Sequence, residues 1–276
     1  MSNVNLNLLK SISQFLIIEE VVLSIYHDEG DSLVSIIMPS YNSQNTIEES
    51  ILSVLSQTYC DWELIIVDDR STDNTWDIIS YYASRYENIQ AYRNSENVGA
   101  GASRNTAIDK AKGRFIAFLD SDDLWMEEKL SEQIAFMLTY GYVFTYTYYR
   151  RFTGDKYLNV VSAPEYTTYK KLMYSNVIGC LTAVYDVNAL GKRYMPLIRK
   201  RQDMGLWLDI LKDTPRAYCV PQVLAKYRMD SGMTSNKLSV LSYQWSFYRK
   251  VIGLSFFRSI YTFTIYAIRG TIKHKL

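Results

Sequence analysis

Apolar runs along the chain break off, one after another, into polar clusters. Val34-Ser35-Ile36-Ile37-Met38 ends in Pro39-Ser40-Tyr41-Asn42, and Glu63-Leu64-Ile65-Ile66-Val67 ends in Asp68-Asp69-Arg70-Ser71-Thr72-Asp73. A short run at 90–92 leads into Glu96 to Asn105, and Phe115-Ile116-Ala117-Phe118-Leu119 ends in Asp120-Ser121-Asp122-Asp123. Unbroken apolar runs of this length read as strands buried on both faces, as in a parallel sheet. Pro39 should stop sheet pairing, and Asn42 suits a turn. Between the runs, apolar residues recur at helical spacing. Ile47, Ile51, Val54 and Leu55 share one face of a helix over 46–56. A second helix is predicted over 76–86, capped by Thr72 or Asp73, and a third runs from the 96–105 loop to about Ala111. Strand, polar loop and helix in repetition predict a doubly wound, Rossmann-like α/β domain. Ligands of such sheets sit outside the carboxyl ends of the strands. The clusters at Pro39–Asn42, Asp68–Asp73 and Asp120–Asp123 therefore share one edge, and that edge is the expected site.

Beyond Asp123 the alternation fades. The pattern predicts a helix over 126–139, an aromatic strand over 142–148 and an irregular stretch over 150–195, within which Gly179 to Tyr185 reads as a strand. Met204, Trp207, Leu208 and Leu211 then mark an amphipathic helix with Gln202 and Asp203 in its first turn, where the helix dipole favours a carboxylate. Leu224 to Met229 precedes a small, polar loop over 230–237. The organisation expected is an extension over 1–33, a main domain over 34–237 and a tail over 238–276. The main domain divides into a nucleotide-binding half, 34–125, and an acceptor half, 126–237. The extension reads as an amphipathic helix packed on the domain or on a partner. Lys10, Glu19 and Glu20 interrupt it, so it is neither a signal peptide nor a spanning helix. The tail is helical, aromatic and basic. It reads either as a helix lying in a membrane interface or as one packing back on the domain.

Composition narrows the chemistry. A net charge of +1 on 276 residues argues against a dedicated nucleic-acid binder. Cys60, Cys180 and Cys219 are widely spaced and form no zinc or CxxC pattern, which suits a reducing cytoplasm. With its two histidines, His27 and His274, near the two ends, the chain argues against a central Ser-His-Asp or Cys-His centre. Catalysis has to rest on carboxylates, a metal and basic groups. The 24 tyrosines could stack on sugars, although most should be ordinary filler.

Three carboxylates within four residues at one strand end repel one another unless a cation neutralises them. Oxygen donors of this kind suit Mg²⁺ or Mn²⁺ shared with a phosphate-bearing substrate. A plainer role exists for one of them: Asp122 or Asp123 would N-cap a helix starting near Trp125. Capping needs one Asp and leaves the others unexplained.

These motifs, in this order and spacing, resemble the family 2 glycosyltransferases of the GT-A fold over roughly residues 33–237. The opening strand with Pro39, Ser40, Tyr41 and Asn42 is similar to the family's first motif, and Val67-Asp68-Asp69 with Ser71, Thr72 and Asp73 to its second. Asn97-Val98-Gly99 with Ser103-Arg104-Asn105 resembles the next loop, and Asp120-Ser121-Asp122-Asp123 the DxD signature. The resemblance implies a mixed α/β sheet with a C-terminal acceptor-side segment and a helical tail. It implies that Pro39, Tyr41 and Asp69 hold the base of a UDP-sugar, with Arg104 helping to form the pocket. Asp120 would lie near ribose and metal, Asp122 would ligate Mn²⁺ or Mg²⁺, and Arg228 and Lys237 would close over the diphosphate. Asp203 matches the family's general base, here in a Gln202-Asp203 pair where the family usually has Glu-Asp. Trp207 could present its ring to an acceptor sugar or pack in the core. The residues around Asp203 and Leu224 to Arg228 resemble bacterial enzymes of surface-polysaccharide synthesis. That implies inverting transfer to a lipid-linked saccharide, such as one on undecaprenyl diphosphate, at the inner face of the cytoplasmic membrane.

Two rivals come from other classes. A sugar nucleotidyltransferase would want a Gly-rich basic loop after the first strand, where this chain has Pro39 to Asn42. A non-catalytic scaffold of a polysaccharide-assembly complex would have no reason to keep carboxylates at 120, 122 and 203.

Overall fold

The computed structural model describes residues 32–229 and 237–273. The helix expected within 1–33, and almost all of the loop expected over 230–237, lie outside the described residues. The first half runs β1 (Val34–Ser40), α1 (Ile47–Leu55), β2 (Trp62–Asp68), α2 (Thr75–Arg85), β3 (Ile89–Arg93), α3 (Ala100–Lys110), β4 (Phe115–Phe118) and β5 (Leu124–Trp125). The second half runs α4 (Lys129–Tyr140), β6 (Phe144–Thr153), β7 (Lys156–Val161), β8 (Tyr166–Thr167), α5 (Tyr169–Tyr174), β9 (Val184–Asp186), α6 (Val187–Leu190), α7 (Gln202–Asp213) and β10 (Ala217–Arg228). Two tail helices, α8 (Lys237–Ser246) and α9 (Phe256–Lys273), follow with a wide turn at Phe247–Val251 between them.

The strands form one mixed sheet in the order β3-β2-β1-β4-β9-β6-β10-β5, with β7 paired to β6 and β8 to β10. Strands β1 to β4 are mutually parallel, and β9 joins β4 antiparallel. The apolar runs become buried strands because both sheet faces are covered: Val34, Ile36 and Met38 face one core layer, Ile37, Ile116 and Phe118 the other. Strand order reverses at β1, where β2 and β3 lie to one side and β4 to the other. In open sheets of this kind ligands sit at such a reversal, outside the carboxyl ends of the strands.

Several expectations are corrected. Pro39 does not end pairing altogether: β1 stays in register with β2 through Ser40 and Asp68, while its pairing with β4 stops at Ile37 and Phe118. Proline, with no N–H to give, sits where β1 and β4 part. Neither Asp122 nor Asp123 caps a helix. Leu124 and Trp125 pair instead with Lys226 and Ala225 of β10, and the Trp125 indole donates to the Leu181 carbonyl at 2.8 Å. The next helix begins only at Lys129. The stretch over 150–195 holds the β6–β7 hairpin, β8, α5 and β9. Cys180–Thr182 forms a 3₁₀ turn rather than part of a strand. At the start of α2 the N-cap position falls on Asn74, whose side chain makes no capping bond, so neither residue expected to cap does; Asp73, one residue earlier, accepts from the Thr75 backbone N–H at 3.0 Å.

Lys129 is fully buried in this fold. Its ammonium donates to Gln133 Oε1 at 2.7 Å and lies 4.4 Å from the Trp125 ring centroid. Burial pushes it from 10.5 down to about 7. The unfolded chain binds more protons between those values, so this group's penalty is full below pH 7 and fades as pH rises toward 10.5. At about 1.4 kcal/mol per pH unit of displacement, Lys129→Met should stabilise the protein by roughly 2–4 kcal/mol more at pH 6 than at pH 10. Urea unfolding of both chains at the two pH values measures it, and equal gains would refute it.

Candidate active site

The carboxyl ends of β1, β2 and β4 carry the polar clusters, and hydrogen bonds knit them together. The loop after β4 is held from beneath by hydroxyls of α1 and its approach. Thr46 Oγ1 donates to the Ser121 carbonyl at 2.9 Å, Ser50 Oγ to the Asp123 carbonyl at 2.8 Å, and Ser53 Oγ accepts from the Trp125 N–H at 3.2 Å. These three hydroxyls recur at i, i+4 and i+7, one stripe of a helical surface. Sequence reading found the apolar stripe of this helix and missed the hydroxyl one.

The three carboxylates then take different surroundings. Asp120 forms an ion pair with Arg104 from α3. Asp122 is part-exposed, and its backbone carbonyl accepts from Arg228 Nε at 2.8 Å. Asp123 is buried. Its Oδ1 accepts from the Arg228 N–H at 2.9 Å, and its Oδ2 has no partner. Burial, then Asp122 and Asp120, push the Asp123 carboxyl well above the usual range. Arg228 also reaches Glu49 of α1 at 2.5 Å, with its guanidinium 4.5 Å from the Phe152 ring centroid. It thus braces β10 against the carboxylate loop.

Asp69 is buried at the end of β2. Its carboxylate accepts from the Val98 N–H at 2.9 Å, the Gly99 N–H at 2.7 Å and Asn94 Nδ2 at 2.8 Å. A carboxylate offers about four acceptor positions, so anchoring the start of α3 takes most of them. Tyr41 lies half exposed beyond Pro39, where β1 meets its loop. Among the described residues, the non-glycine residues in the left-handed region are Asn42, Arg70 and Arg201, with φ of 49°, 65° and 69°. They follow β1, follow β2 and precede α7. Unfavourable backbone held in place at site loops is a common sign of functional constraint.

Asp203 comes to the same cleft from the other half of the chain. Arg104 donates through Nη1 to Gln202 Oε1 at 3.2 Å while pairing with Asp120. One guanidinium therefore ties the end of β4 to the first turn of α7. Gln202 Nε2 donates in turn to the Ile198 carbonyl at 2.5 Å, which fixes the loop before the helix. Asn176, a residue the sequence reading did not single out, donates to Asp203 Oδ2 at 3.1 Å. Cys180 lies between the two halves. Burial raises its thiol well above 9, Arg104 opposes that shift, and Asp120, Asp203 and Asp123 add to it. A thiol so displaced is a neutral wall of the cleft, not a nucleophile. Tyr227 borders the same carboxylates and is pushed up to about 12 by burial and by Asp123, Asp122 and Asp120. Trp207 faces no cleft. It is fully buried against Phe118 and Phe144, with ring centroids 5.3 and 5.4 Å away, so the core reading holds.

The structure thus brings Asp120, Asp122, Asp203, Arg104 and Arg228 to the end of β4, with Pro39, Tyr41 and Asp69 along the neighbouring strand ends. The side chain of Lys237 lies outside what is described. Among the described residues no group of three or more His, Cys, Asp or Glu is gathered as a ready metal cage. Asp120 and Asp122, beside the unpaired oxygen of Asp123, fit the other mode, in which one or two carboxylates share a hard cation with substrate phosphates.

The profile of Glycosyl transferase family 2 matches residues 35–194. A Bacillus subtilis (strain 168) glycosyltransferase named for teichuronic acid biosynthesis, TuaG, is 40% identical over 247 residues, covering 88% of this chain and 98% of the relative. An Escherichia coli protein, the UDP-Glc:alpha-D-GlcNAc-diphosphoundecaprenol beta-1,3-glucosyltransferase WfgD, is 42% identical over 247 residues, covering 88% of this chain and 96% of the relative. In fold, the chain is similar to the crystal structure of S. aureus TarS 1-349 in complex with UDP-GlcNAc. The TM-score is 0.66 at 21% identity, covering 86% of this chain and 71% of the other.

Proposed function

The chain belongs to glycosyl transferase family 2, and from that we propose inverting transfer of a hexose or N-acetylhexosamine from a UDP-sugar to a hydroxyl of an undecaprenyl-diphosphate-linked saccharide in bacterial surface-polysaccharide synthesis. The observation that carries the reading is the Arg104 bridge. It places the carboxylates that would face the donor next to the helix that presents Asp203. Asp203 acts as general base, taking the proton of the acceptor hydroxyl as its oxygen attacks the anomeric carbon. Asn176 orients that carboxylate. Inversion is supported by the WfgD name, since UDP-glucose carries its sugar in α linkage and the product named there is β.

Pro39 and Tyr41 border the base, and Asp69 shapes that pocket by fixing the 94–99 loop with its remaining acceptor capacity toward the base. Arg104 acts on the pocket through Asp120, which lies toward the ribose. Arg228 lies on the diphosphate side. A divalent ion, Mn²⁺ or Mg²⁺, held by Asp120 and Asp122 would supply neutralisation of the departing diphosphate. A membrane-borne acceptor implies a peripheral position on the inner face of the cytoplasmic membrane. No described helix is long and apolar enough to cross one.

The test is UDP release by the purified protein from a panel of UDP-sugars with Mn²⁺ and a synthetic GlcNAc-diphosphate-lipid. Release from one donor that depends on the acceptor is the expected result. UDP binding without release, whatever the acceptor, would overturn the proposed transfer.

A further inference from the structure

We propose that the outer face of α9 is a docking surface for a bilayer carrying anionic lipids, seated so that the Asp203 side of the cleft lies at that bilayer. The second clause rests on the proposed lipid-linked acceptor; the docking itself does not.

The helix is amphipathic the wrong way round for a soluble surface. Ser259 and Thr262 are turned inward, 0% and 5% exposed, while Phe257 and Tyr261 are 81% and 63% exposed. Phe257, Ile260, Tyr261 and Ile268 share one stripe at helical spacing, and Phe256 is exposed at its start. An apolar stripe of aromatics left in water marks an interaction surface. The inward face is well anchored. Trp245 of α8 packs edge-on against Phe256 and Phe263, with centroids 6.0 and 5.8 Å away. The helix is therefore a fixed part of the fold, presenting this stripe outward.

Charge decides the occupant. Residues 237–273 hold six Lys and Arg and no Asp or Glu, while the rest of the chain sums to −5 against +1 for the whole. A second copy docked through the same stripe would bring two uncompensated basic segments together. An anionic bilayer accepts both the aromatics and the cations. The span among the described residues is too polar to insert across a membrane, so the helix lies on it.

Position ties the stripe to the site. Arg201, two residues before Asp203, donates to Tyr266 of α9 at 2.5 Å. Tyr261 meets Tyr174 at the end of α5 edge-on, with centroids 6.4 Å apart, and Asn176, which holds Asp203, lies two residues further. A bilayer against α9 thus lies beside the elements that present the base.

The experiment is flotation of the full chain with vesicles of phosphatidylcholine alone or mixed with phosphatidylglycerol, free of any saccharide lipid. Wild type should float with the anionic vesicles and lose binding in high salt. Phe257→Ser with Ile260→Ser should weaken binding about tenfold or more, and Arg258→Gln by a smaller factor. UDP affinity, which reads the fold, should not change. The double variant should lose turnover on acceptor in vesicles and keep it on a short-chain, water-soluble acceptor. Wild type failing to float overturns the proposal. So does a wild-type dimer, dispersed by the double variant, without vesicle binding. Flotation without turnover on any lipid-linked acceptor leaves the docking standing and counts against the acceptor reading alone.

Discussion

Asp203→Asn is expected to cut acceptor-dependent UDP release by about 10²–10⁴-fold, the usual worth of a positioned general base, while leaving UDP affinity unchanged. The substitution is nearly isosteric. Asn176 directs its amide N–H to Asp203 Oδ2 because its own Oδ1 already accepts from the Ile178 N–H at 3.2 Å. An asparagine at 203 can accept that bond through its carbonyl oxygen, so neither α7 nor the Asn176 turn has reason to move. What disappears is the ability to take a proton. Arg104 stays engaged with Asp120 and Gln202, so the donor side is untouched. Release rates with saturating acceptor, set beside calorimetric UDP binding, separate the two effects. An Asp203→Asn chain that turns over normally would mean that another group is the base.

Much of this site was legible because its chemistry sits at strand ends. Buried parallel strands must be continuous apolar runs, and their polar ends mark the sheet edge without knowledge of the fold. The second half resisted for physical reasons. The outer strand β7 is exposed along nearly its whole length, so it shows no alternation to read. The two-residue strand β5 exists only because β10, a hundred residues on, pairs with it. Nothing local announces such a partner, and a helix cap was the natural reading of Asp122 and Asp123. The same holds for contacts. The motifs named Arg104, Asp120 and Asp203, but that Arg104 spans Asp120 and Gln202 is a fact of packing between α3, β4 and α7. Cys180 and Asn176 had no motif around them and emerged only from position. The hydroxyls of Thr46, Ser50 and Ser53 could have been found, since polar residues at i, i+4 and i+7 alongside an apolar stripe are visible in sequence.

Asp122→Ala is the second large loss, and comparing it with Asp120→Ala makes it informative. Losing one carboxylate of a shared metal–diphosphate site removes several kcal/mol of leaving-group stabilisation, about 10²-fold or more in transfer rate. EDTA should do the same to wild type, and Asp122→Ala should show no further metal stimulation of UDP binding. Its unfolding midpoint should fall less than that of Asp120→Ala. The loop is held through its backbone, by Arg228 on the Asp122 carbonyl and by Thr46 and Ser50 on the carbonyls of Ser121 and Asp123. One carboxylate fewer beside buried Asp123 also relieves repulsion, because Asp122 contributes more than Asp120 to raising it. Asp120→Ala should lose activity to a similar degree and lose stability as well. It strands the guanidinium of Arg104, which is buried and already has an unpaired Nε. Leaving a buried charge without its partner costs about 3–5 kcal/mol. Unfolding curves and metal-dependent UDP binding for the two variants side by side therefore separate a group that serves the ligand from one that also holds the cleft together. Full turnover by Asp122→Ala in the presence of EDTA would show that transfer needs no metal at this position.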